Sequence, residues 1–191
     1  MGGFYIEWTR LLGRQSEIDK VSLSDRCSTG MSQSNLPNSP KPVLYAEDEE
    51  DDVFFMRRAF TDAGIRNPLV IVPNGQEAID YLLGAGRYSS RDECPLPCLL
   101  LLDLKLPKKS GMEVLHWIRT ESAISTLPVV ILTSSPQDAD IQHAYFQGAN
   151  AYLVKPSAPE ELVRMASAIR GFWLTENRTA EKSWEPAALD D

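Results

Sequence analysis

Five short apolar runs alternate with longer amphipathic stretches along this chain. The runs cover residues 43–46, 69–72, 98–102, 129–132 and 151–154, and none contains a charged side chain. Continuously apolar strands of this length are typical of a parallel sheet that is covered on both faces. The stretches between the runs repeat apolar residues at helical spacing, as Val53, Met56, Phe60 and Ala63 do in the first. They therefore predict helices.

The alternation of strands and helices predicts an α/β fold of the (βα)5 type. Right-handed crossovers between parallel strands then produce a doubly wound sheet. Polar caps precede four of the predicted helices, where an acid follows the cap three positions on: Asn74 with Glu77, Ser110 with Glu113, Ser135 with Asp138, and Ser157 with Glu160. This spacing is that of a capping box, and each cap is expected to contribute about 1 kcal/mol.

The two ends of the chain lack this periodicity. Residues 22–42 are rich in Ser, Asn and Pro, and the last residues are polar and acidic. We therefore expect a flexible leader over residues 1–41, one domain over residues 42–174 and a C-terminal tail over residues 175–191. A chain of 191 residues with 43% hydrophobic content is sufficient for one sizeable core.

Charge and composition exclude several classes of function. The net charge of -8 argues against a nucleic-acid-binding surface. No apolar run approaches the roughly 20 residues that span a bilayer, so we expect no membrane segment. The N-terminal segment has no apolar region followed by a cleavage signature, so we expect a cytoplasmic protein. The three cysteines have no zinc-ligand spacing.

The candidate chemistry lies at the carboxyl ends of the predicted strands. Glu47 and Asp48 follow the first strand, Asp103 the third, Thr133 the fourth and Lys155 the fifth. Taken alone, Asp103 is equally consistent with a turn residue. Because an open α/β sheet places its site at the carboxyl edge of the strands, we expect all of these side chains to converge there.

Three carboxylates held close together repel one another unless cations compensate them. Lys155 supplies one positive charge, and Mg²⁺ suits the remainder because it prefers hard oxygen ligands and retains several waters. Asp48 and Asp103 are the expected carboxylate ligands, and Lys105 would add its backbone carbonyl. Glu47 is expected to act through a bound water. We interpret the acids at 49–52 as a solvated face that complements the dipole of the first helix.

Four segments together resemble the receiver domain of two-component response regulators. They are Val-Leu-Tyr-Ala-Glu-Asp at 43–48, Leu-Leu-Asp-Leu-Lys-Leu-Pro at 101–107, Ile-Leu-Thr-Ser at 131–134 and Tyr-Leu-Val-Lys-Pro at 152–156. The resemblance covers about two thirds of the chain. It implies a flavodoxin-like receiver fold with strand order 2-1-3-4-5.

A narrower resemblance is to the small stand-alone regulators paired with cyanobacterial and bacterial phytochrome kinases. It is carried by Leu-Pro-Lys-Lys-Ser-Gly at 106–111, by the extended segment 84–97 and by Gly-Phe-Trp-Leu at 171–174. The resemblance implies that the partner is a sensor histidine kinase of phytochrome type.

The resemblance also assigns roles at the strand ends. It makes Asp103 the phosphoacceptor, which attacks a phosphohistidine of the kinase. Lys155 pairs with the phosphoryl group, the Thr133 hydroxyl hydrogen-bonds to it, and Ser134 offers a backbone donor. Such a local change of charge is the usual basis of a phosphorylation switch.

Two further expectations rest on the resemblance. Tyr152 matches the aromatic residue whose side chain moves inward after the Thr133 hydroxyl turns toward the phosphoryl group. Taken alone, Tyr152 is equally consistent with a half-buried strand residue. Pro156 matches a proline whose preceding peptide bond is cis, whereas most X-Pro bonds are trans.

Output is expected through a face formed by the fourth helix, the fifth strand and the fifth helix, which family members use for homodimers and partners. Residues 172–174 either enlarge its apolar patch or pack on the domain.

Two alternatives remain for the function. A haloacid-dehalogenase-like phosphohydrolase also uses a strand-end Asp with Mg²⁺, a hydroxyl and a lysine, but carries a second acid two positions after the nucleophile. Lys105 occupies that position here, so we expect a phosphoacceptor with slow self-hydrolysis instead of an enzyme. The second alternative is a degenerate receiver that binds partners without phosphorylation; the filled site positions argue against it.

Overall fold

A central sheet of five parallel strands forms the domain. The computed structural model describes residues 40–178, so the predicted leader up to residue 39 and the tail from residue 179 lie outside the described residues. The strands are β1 (Val43–Ala46), β2 (Leu69–Val72), β3 (Leu99–Leu102), β4 (Val129–Thr133) and β5 (Ala151–Val154). Their order is β2-β1-β3-β4-β5, which confirms the expected receiver topology.

Helices connect the strands on both faces of the sheet. They are α1 (Glu50–Asp62), α2 (Gly75–Leu83), α3 (Gly111–Thr120), α4 (Asp138–Phe146) and α5 (Pro159–Ile169). A short 3-10 turn, Gly86–Tyr88, follows α2, and a π-helical segment, Arg170–Glu176, continues α5. None of the helices between residues 40 and 178 has the length and hydropathy needed to cross a bilayer.

The core consists of two apolar layers, one on each face of the sheet. Alternate strand residues belong to different layers, because successive side chains of a strand point to opposite faces. Leu100 and Leu102 pack in the layer that contains α2 and α3, whereas Leu99 and Leu101 pack in the layer that contains α1 and α5. All four leucines are completely buried. The continuous apolarity of β3 is therefore required by burial on both faces.

Two of the four predicted caps are confirmed. The Asn74 side chain accepts a hydrogen bond from the backbone N–H of Glu77 at 3.0 Å. Ser110 and Glu113 form a reciprocal capping box, with the Ser110 backbone N–H donating to the Glu113 carboxylate at 2.9 Å. These bonds satisfy backbone donors that a helix leaves free in its first turn.

The other two predicted caps are wrong. The residue that precedes α4 is Gln137, without a side-chain cap, because the Ser135 hydroxyl donates instead to the Asp140 carboxylate at 2.6 Å. The residue that precedes α5 is Ala158, and Pro159 occupies the first turn. Proline starts a helix without a capping side chain, since its φ angle is already helical and it has no N–H to satisfy.

Candidate functional site

The carboxyl edge of the sheet brings three predicted residues into direct contact. The Lys155 ammonium donates a hydrogen bond to the Asp103 carboxylate at 2.8 Å and another to the Glu47 carboxylate. Glu47 and Asp103 are buried, at 1% and 5% exposure. The contact joins the ends of β1, β3 and β5, which are far apart in sequence and meet because the strands are parallel and in register.

A fourth residue in this cluster, Asp52, was not identified from the sequence. Its carboxylate accepts a hydrogen bond from the Lys155 ammonium at 2.6 Å. The interpretation of residues 49–52 as a solvated face is therefore wrong for Asp52, although Glu49, Glu50 and Asp51 are exposed. The available signal was helical spacing: Asp52 lies four residues before the buried Met56, and residues four apart share one face of a helix.

Burial and hydrogen bonding shift the pKa values of Glu47, Tyr45 and Lys155. Burial raises the pKa of Glu47, although hydrogen bonds from Lys155 and from the Tyr45 hydroxyl at 2.7 Å oppose the rise. Burial and the nearby Glu47 carboxylate raise the pKa of Tyr45. Burial alone would lower the pKa of Lys155, but its hydrogen bonds to Asp103, Asp52 and Glu47 outweigh burial and raise the pKa. Lys155 is therefore a permanent positive charge at neutral pH.

The donor set of the site fits a hard divalent cation. Glu47, Asp52 and Asp103 provide three carboxyl groups around the single Lys155 ammonium. Asp48, which follows Glu47 in the chain, is exposed. Among residues 40–178 no three carboxylate, imidazole or thiolate side chains converge closely enough to hold a metal by themselves. One or two carboxylates supplemented by backbone oxygen and water are the usual ligands of Mg²⁺. Glu47 is already engaged by Lys155 and Tyr45, which suits the expected indirect role.

The predicted switch residues surround the loop between β4 and α4. Thr133 is completely buried, and its hydroxyl oxygen accepts from the Ser135 backbone N–H at 3.5 Å. Tyr152 is half-buried and donates its hydroxyl to the Ser135 carbonyl at 2.8 Å. The Lys155 backbone N–H donates to the Thr133 carbonyl at 2.8 Å. Ser134 is exposed at the end of β4.

The peptide bond between Lys155 and Pro156 is trans, as are all peptide bonds of the described residues. The cis bond implied by the family resemblance is therefore not found. The trans isomer is the ordinary state of an X-Pro bond, which it favours by about 0.5–1 kcal/mol.

Two glycines hold the loop that follows Asp103. Gly111 opens α3 and donates its N–H to the Leu104 carbonyl at 3.0 Å. A Cβ at Gly111 would lie 2.1 Å from the Asp103 carbonyl oxygen, and a Cβ at Gly75, which opens α2, would lie 2.0 Å from the Lys109 carbonyl oxygen. Backbone oxygens cannot move aside as a flexible side chain can, so glycine is required at both positions for the loop to approach the helices.

A doubly wound parallel sheet with buried carboxylates and a paired lysine at its carboxyl edge defines an α/β protein of the flavodoxin-like class. A family model described as the response regulator receiver domain matches residues 43–167. The chain belongs to this family of two-component signalling proteins, whose members act in signalling and not as classical enzymes.

Curated relatives and solved structures support the assignment. The chain is 36% identical to the response regulator Rcp1 of Synechocystis sp. over 74% of this chain and 94% of that protein. It is 35% identical to the "Probable methanogenesis regulatory protein FilR2" of Methanothrix harundinacea, over 80% of this chain and 97% of that protein. The structure of the phosphorylated cyanobacterial phytochrome response regulator RcpA matches with a TM-score of 0.68 and 32% identity, and the match covers 74% of this chain and 99% of RcpA. A Mn²⁺-bound structure of Rcp1 matches with a TM-score of 0.67 and 34% identity, and the match covers 74% of this chain and 100% of Rcp1.

Proposed function

We propose that this chain is a stand-alone response regulator that accepts a phosphoryl group on Asp103 from a sensor histidine kinase. The observation that carries the proposal is the 2.8 Å hydrogen bond between the Lys155 ammonium and the buried Asp103 carboxylate. An ammonium in this position is directed at the place where charge accumulates when the carboxylate is phosphorylated.

The proposed step is an in-line phosphoryl transfer. One Asp103 carboxylate oxygen forms a bond to phosphorus, the phosphorus–nitrogen bond of the kinase phosphohistidine breaks, and its electron pair returns to the imidazole nitrogen. The charge at Asp103 changes from about -1 to near -2. The Lys155 ammonium would donate a hydrogen bond to a phosphoryl oxygen and so offset the added charge. The Thr133 hydroxyl and the Ser134 backbone N–H would also donate to the phosphoryl oxygens.

We propose Mg²⁺ as the cofactor, with Asp48, Asp103 and the Lys105 carbonyl as ligands and Glu47 acting through water. The ion would neutralise charge on the transferred group. Support comes from the excess of carboxylates over cations at this edge and from the Mn²⁺-bound structure of the relative Rcp1.

The partner we propose is a sensor histidine kinase in the cytoplasm. Relatives include phytochrome response regulators, which favours a kinase of phytochrome type. We assign residues 42–174 to the receiver. Lys105 stands where a phosphohydrolase of the haloacid-dehalogenase type carries its second acid, so slow self-hydrolysis of the adduct is the proposed fate of the phosphoryl group.

Incubation of the full chain with Mg²⁺ and acetyl phosphate tests the proposal. We expect intact-mass spectrometry to show one added phosphoryl group that survives acid and is lost in base, as acyl phosphates are. Removal of the divalent ion with EDTA should reduce the adduct to background. Rapid release of phosphate without an adduct would indicate a phosphohydrolase, and a lack of both adduct and release would indicate a binding module that acts without phosphorylation.

We also propose that the regulator forms a homodimer through the face made by α4, β5 and α5. Each of these three parts of the chain carries an exposed apolar side chain, Phe146 on α4, Val154 on β5 and Phe172 after α5, and association would remove such side chains from water. Trp173 and Leu174 instead pack against the core layer of α1 and α5.

Sedimentation equilibrium tests the dimer. We expect the wild-type chain to sediment as a dimer and the double variant Phe146→Ala, Phe172→Ala as a monomer, because both side chains leave the proposed interface. Leu83→Ala at the exposed end of α2 removes a similar apolar surface outside this face and should leave the mass unchanged. An unchanged mass in the double variant would contradict the proposal.

A further inference from the structure

The hydrogen bonds of the Lys155 ammonium leave it without a free donor. An ammonium group has three N–H donors, and Lys155 donates to three carboxylates, those of Glu47, Asp52 and Asp103. The proposed function requires Lys155 to bond a phosphoryl oxygen once Asp103 is phosphorylated. One of the resting carboxylate partners must then share or release its donor.

Asp52 is the partner that is released at the lowest cost. Its side chain is 40% exposed, whereas those of Glu47 and Asp103 are 0% and 7% exposed. Water can solvate the Asp52 carboxylate when the ammonium leaves it, but it cannot reach Glu47 in the same way. Breaking a buried charge pair is costly because it leaves an uncompensated charge away from water.

The surroundings of Asp52 also leave room for this exchange. Asp52 and Lys155 both line a cavity of about 80 Å³ between α1 and the start of α5, together with Phe55, Pro156 and Leu162. Space for a small displacement of either side chain therefore adjoins their contact. Asp52 belongs to the first turn of α1, while the other two carboxylates follow strands of the sheet.

We propose that Asp52 is a positioning residue that holds Lys155 in the resting state and competes with the phosphoryl group for its ammonium. This inference rests on the proposed function and deepens it. Asp52 lowers the affinity of the site for a phosphoryl-like anion in two ways, since it occupies one Lys155 donor and adds a negative charge beside Asp103. The negative charge of the side chain at position 52 thereby shifts the balance between the resting and the phosphorylated state.

The test measures how tightly the full chain binds beryllofluoride, a tetrahedral phosphoryl mimic that coordinates to a carboxylate oxygen. Titrations followed by fluorine NMR at saturating Mg²⁺ compare the wild type with Asp52→Asn, which keeps an acceptor oxygen but removes the charge. We expect Asp52→Asn to bind about three- to tenfold more tightly, the range that follows from removing one unit charge a few ångströms away in a partly solvated site.

Matched variants separate this role from general effects of charge and folding. Asp51→Asn removes the same charge from the same helical turn at an exposed side chain, and it should change the affinity by less than about twofold. Asp52→Glu restores the charge and should return the affinity to within about twofold of the wild type. Equal thermal unfolding midpoints of the variants would exclude a folding effect.

The outcomes distinguish the inference from the proposed function. If the wild type does not bind beryllofluoride at saturating Mg²⁺, the proposed function is wrong and the role of Asp52 falls with it. If the wild type binds but Asp52→Asn matches Asp51→Asn, or binds more weakly than the wild type, only the competing role of Asp52 is overturned.

Discussion

The variant Asp103→Asn is expected to form no phosphoryl adduct with acetyl phosphate and Mg²⁺. The amide lacks the anionic oxygen that attacks phosphorus, so adduct formation should fall to the background seen with EDTA. The substitution preserves the shape of the side chain and one of the two oxygens that accept hydrogen bonds in the resting site, one from the Lys155 ammonium and the other from the Lys105 backbone N–H. We therefore expect the fold to survive.

Chemical trapping locates the acceptor independently of mutagenesis. Borohydride reduces an acyl phosphate of aspartate to homoserine, and peptide mapping of the wild type should find homoserine at position 103. Asp51→Asn, which removes an exposed carboxylate, should form the adduct at the wild-type rate. Homoserine at position 48 or 52, or an adduct in Asp103→Asn at the wild-type rate, would show that another carboxylate is the acceptor.

The variant Lys155→Met is expected to lower the free energy of unfolding of the metal-free protein far more than the control Lys109→Met does. Methionine has a similar length without the charge, so the carboxylates of Glu47 and Asp103 lose their cation inside the domain. Removing one partner of a buried ion pair costs about 3–5 kcal/mol. We expect the lower end of this range, because Asp52 is partly exposed and water will solvate it. Urea unfolding in EDTA measures the free energy of unfolding.

The loss should depend on pH in a definite direction. Burial already raises the pKa of Glu47, and the hydrogen bond from Lys155 opposes that rise most strongly. Without Lys155 the folded-state pKa of Glu47 rises further above its unfolded value, so the folded protein favours the protonated acid. The destabilisation is complete above the folded-state pKa and is relieved as pH falls through it. The difference from the wild type should therefore narrow as the pH falls from neutral through the raised pKa of Glu47.

Two controls accompany the Lys155 measurement. Lys109→Met removes a lysine whose ion pair with Glu113 is long, at 3.9 Å, and exposed, so it should cost less than about 1 kcal/mol. Addition of Mg²⁺ should recover part of the stability of Lys155→Met, because a divalent cation replaces the missing positive charge. A loss in Lys155→Met no larger than that in Lys109→Met would contradict the view that the ammonium holds the site together.

The strands and most helix positions could be predicted from the sequence because their signal is local. Three of the predicted strands match the structure, β4 continues one residue beyond the prediction to Thr133, and β3 begins at Leu99 instead of one residue earlier. Burial on both faces forces apolar residues at every position of β3, and helical burial repeats every three to four residues. The order of the strands came from the family resemblance, since alternation alone does not specify which strands are neighbours.

Some residues of the candidate site could likewise be predicted from local sequence, and one could not. Glu47, Asp103, Thr133 and Lys155 were predicted because each directly follows an apolar run, and parallel strands end at one edge of the sheet. Asp52 was missed because it ends a run of six consecutive acids, residues 47–52, whose last four have the same local character. Only the packing of α1 on the sheet decides which of them faces Lys155.

By itself, the sequence determined the alternation of strands and helices, the polar residues at the strand ends and two of the helix caps. Tertiary structure alone decided the contact between Asp52 and Lys155, the caps of α4 and α5, and the close approach of the loop after Asp103 to Gly75 and Gly111. The physical reason is that periodicity reports the burial of a segment, whereas these features depend on distances between segments that only the packed chain brings together.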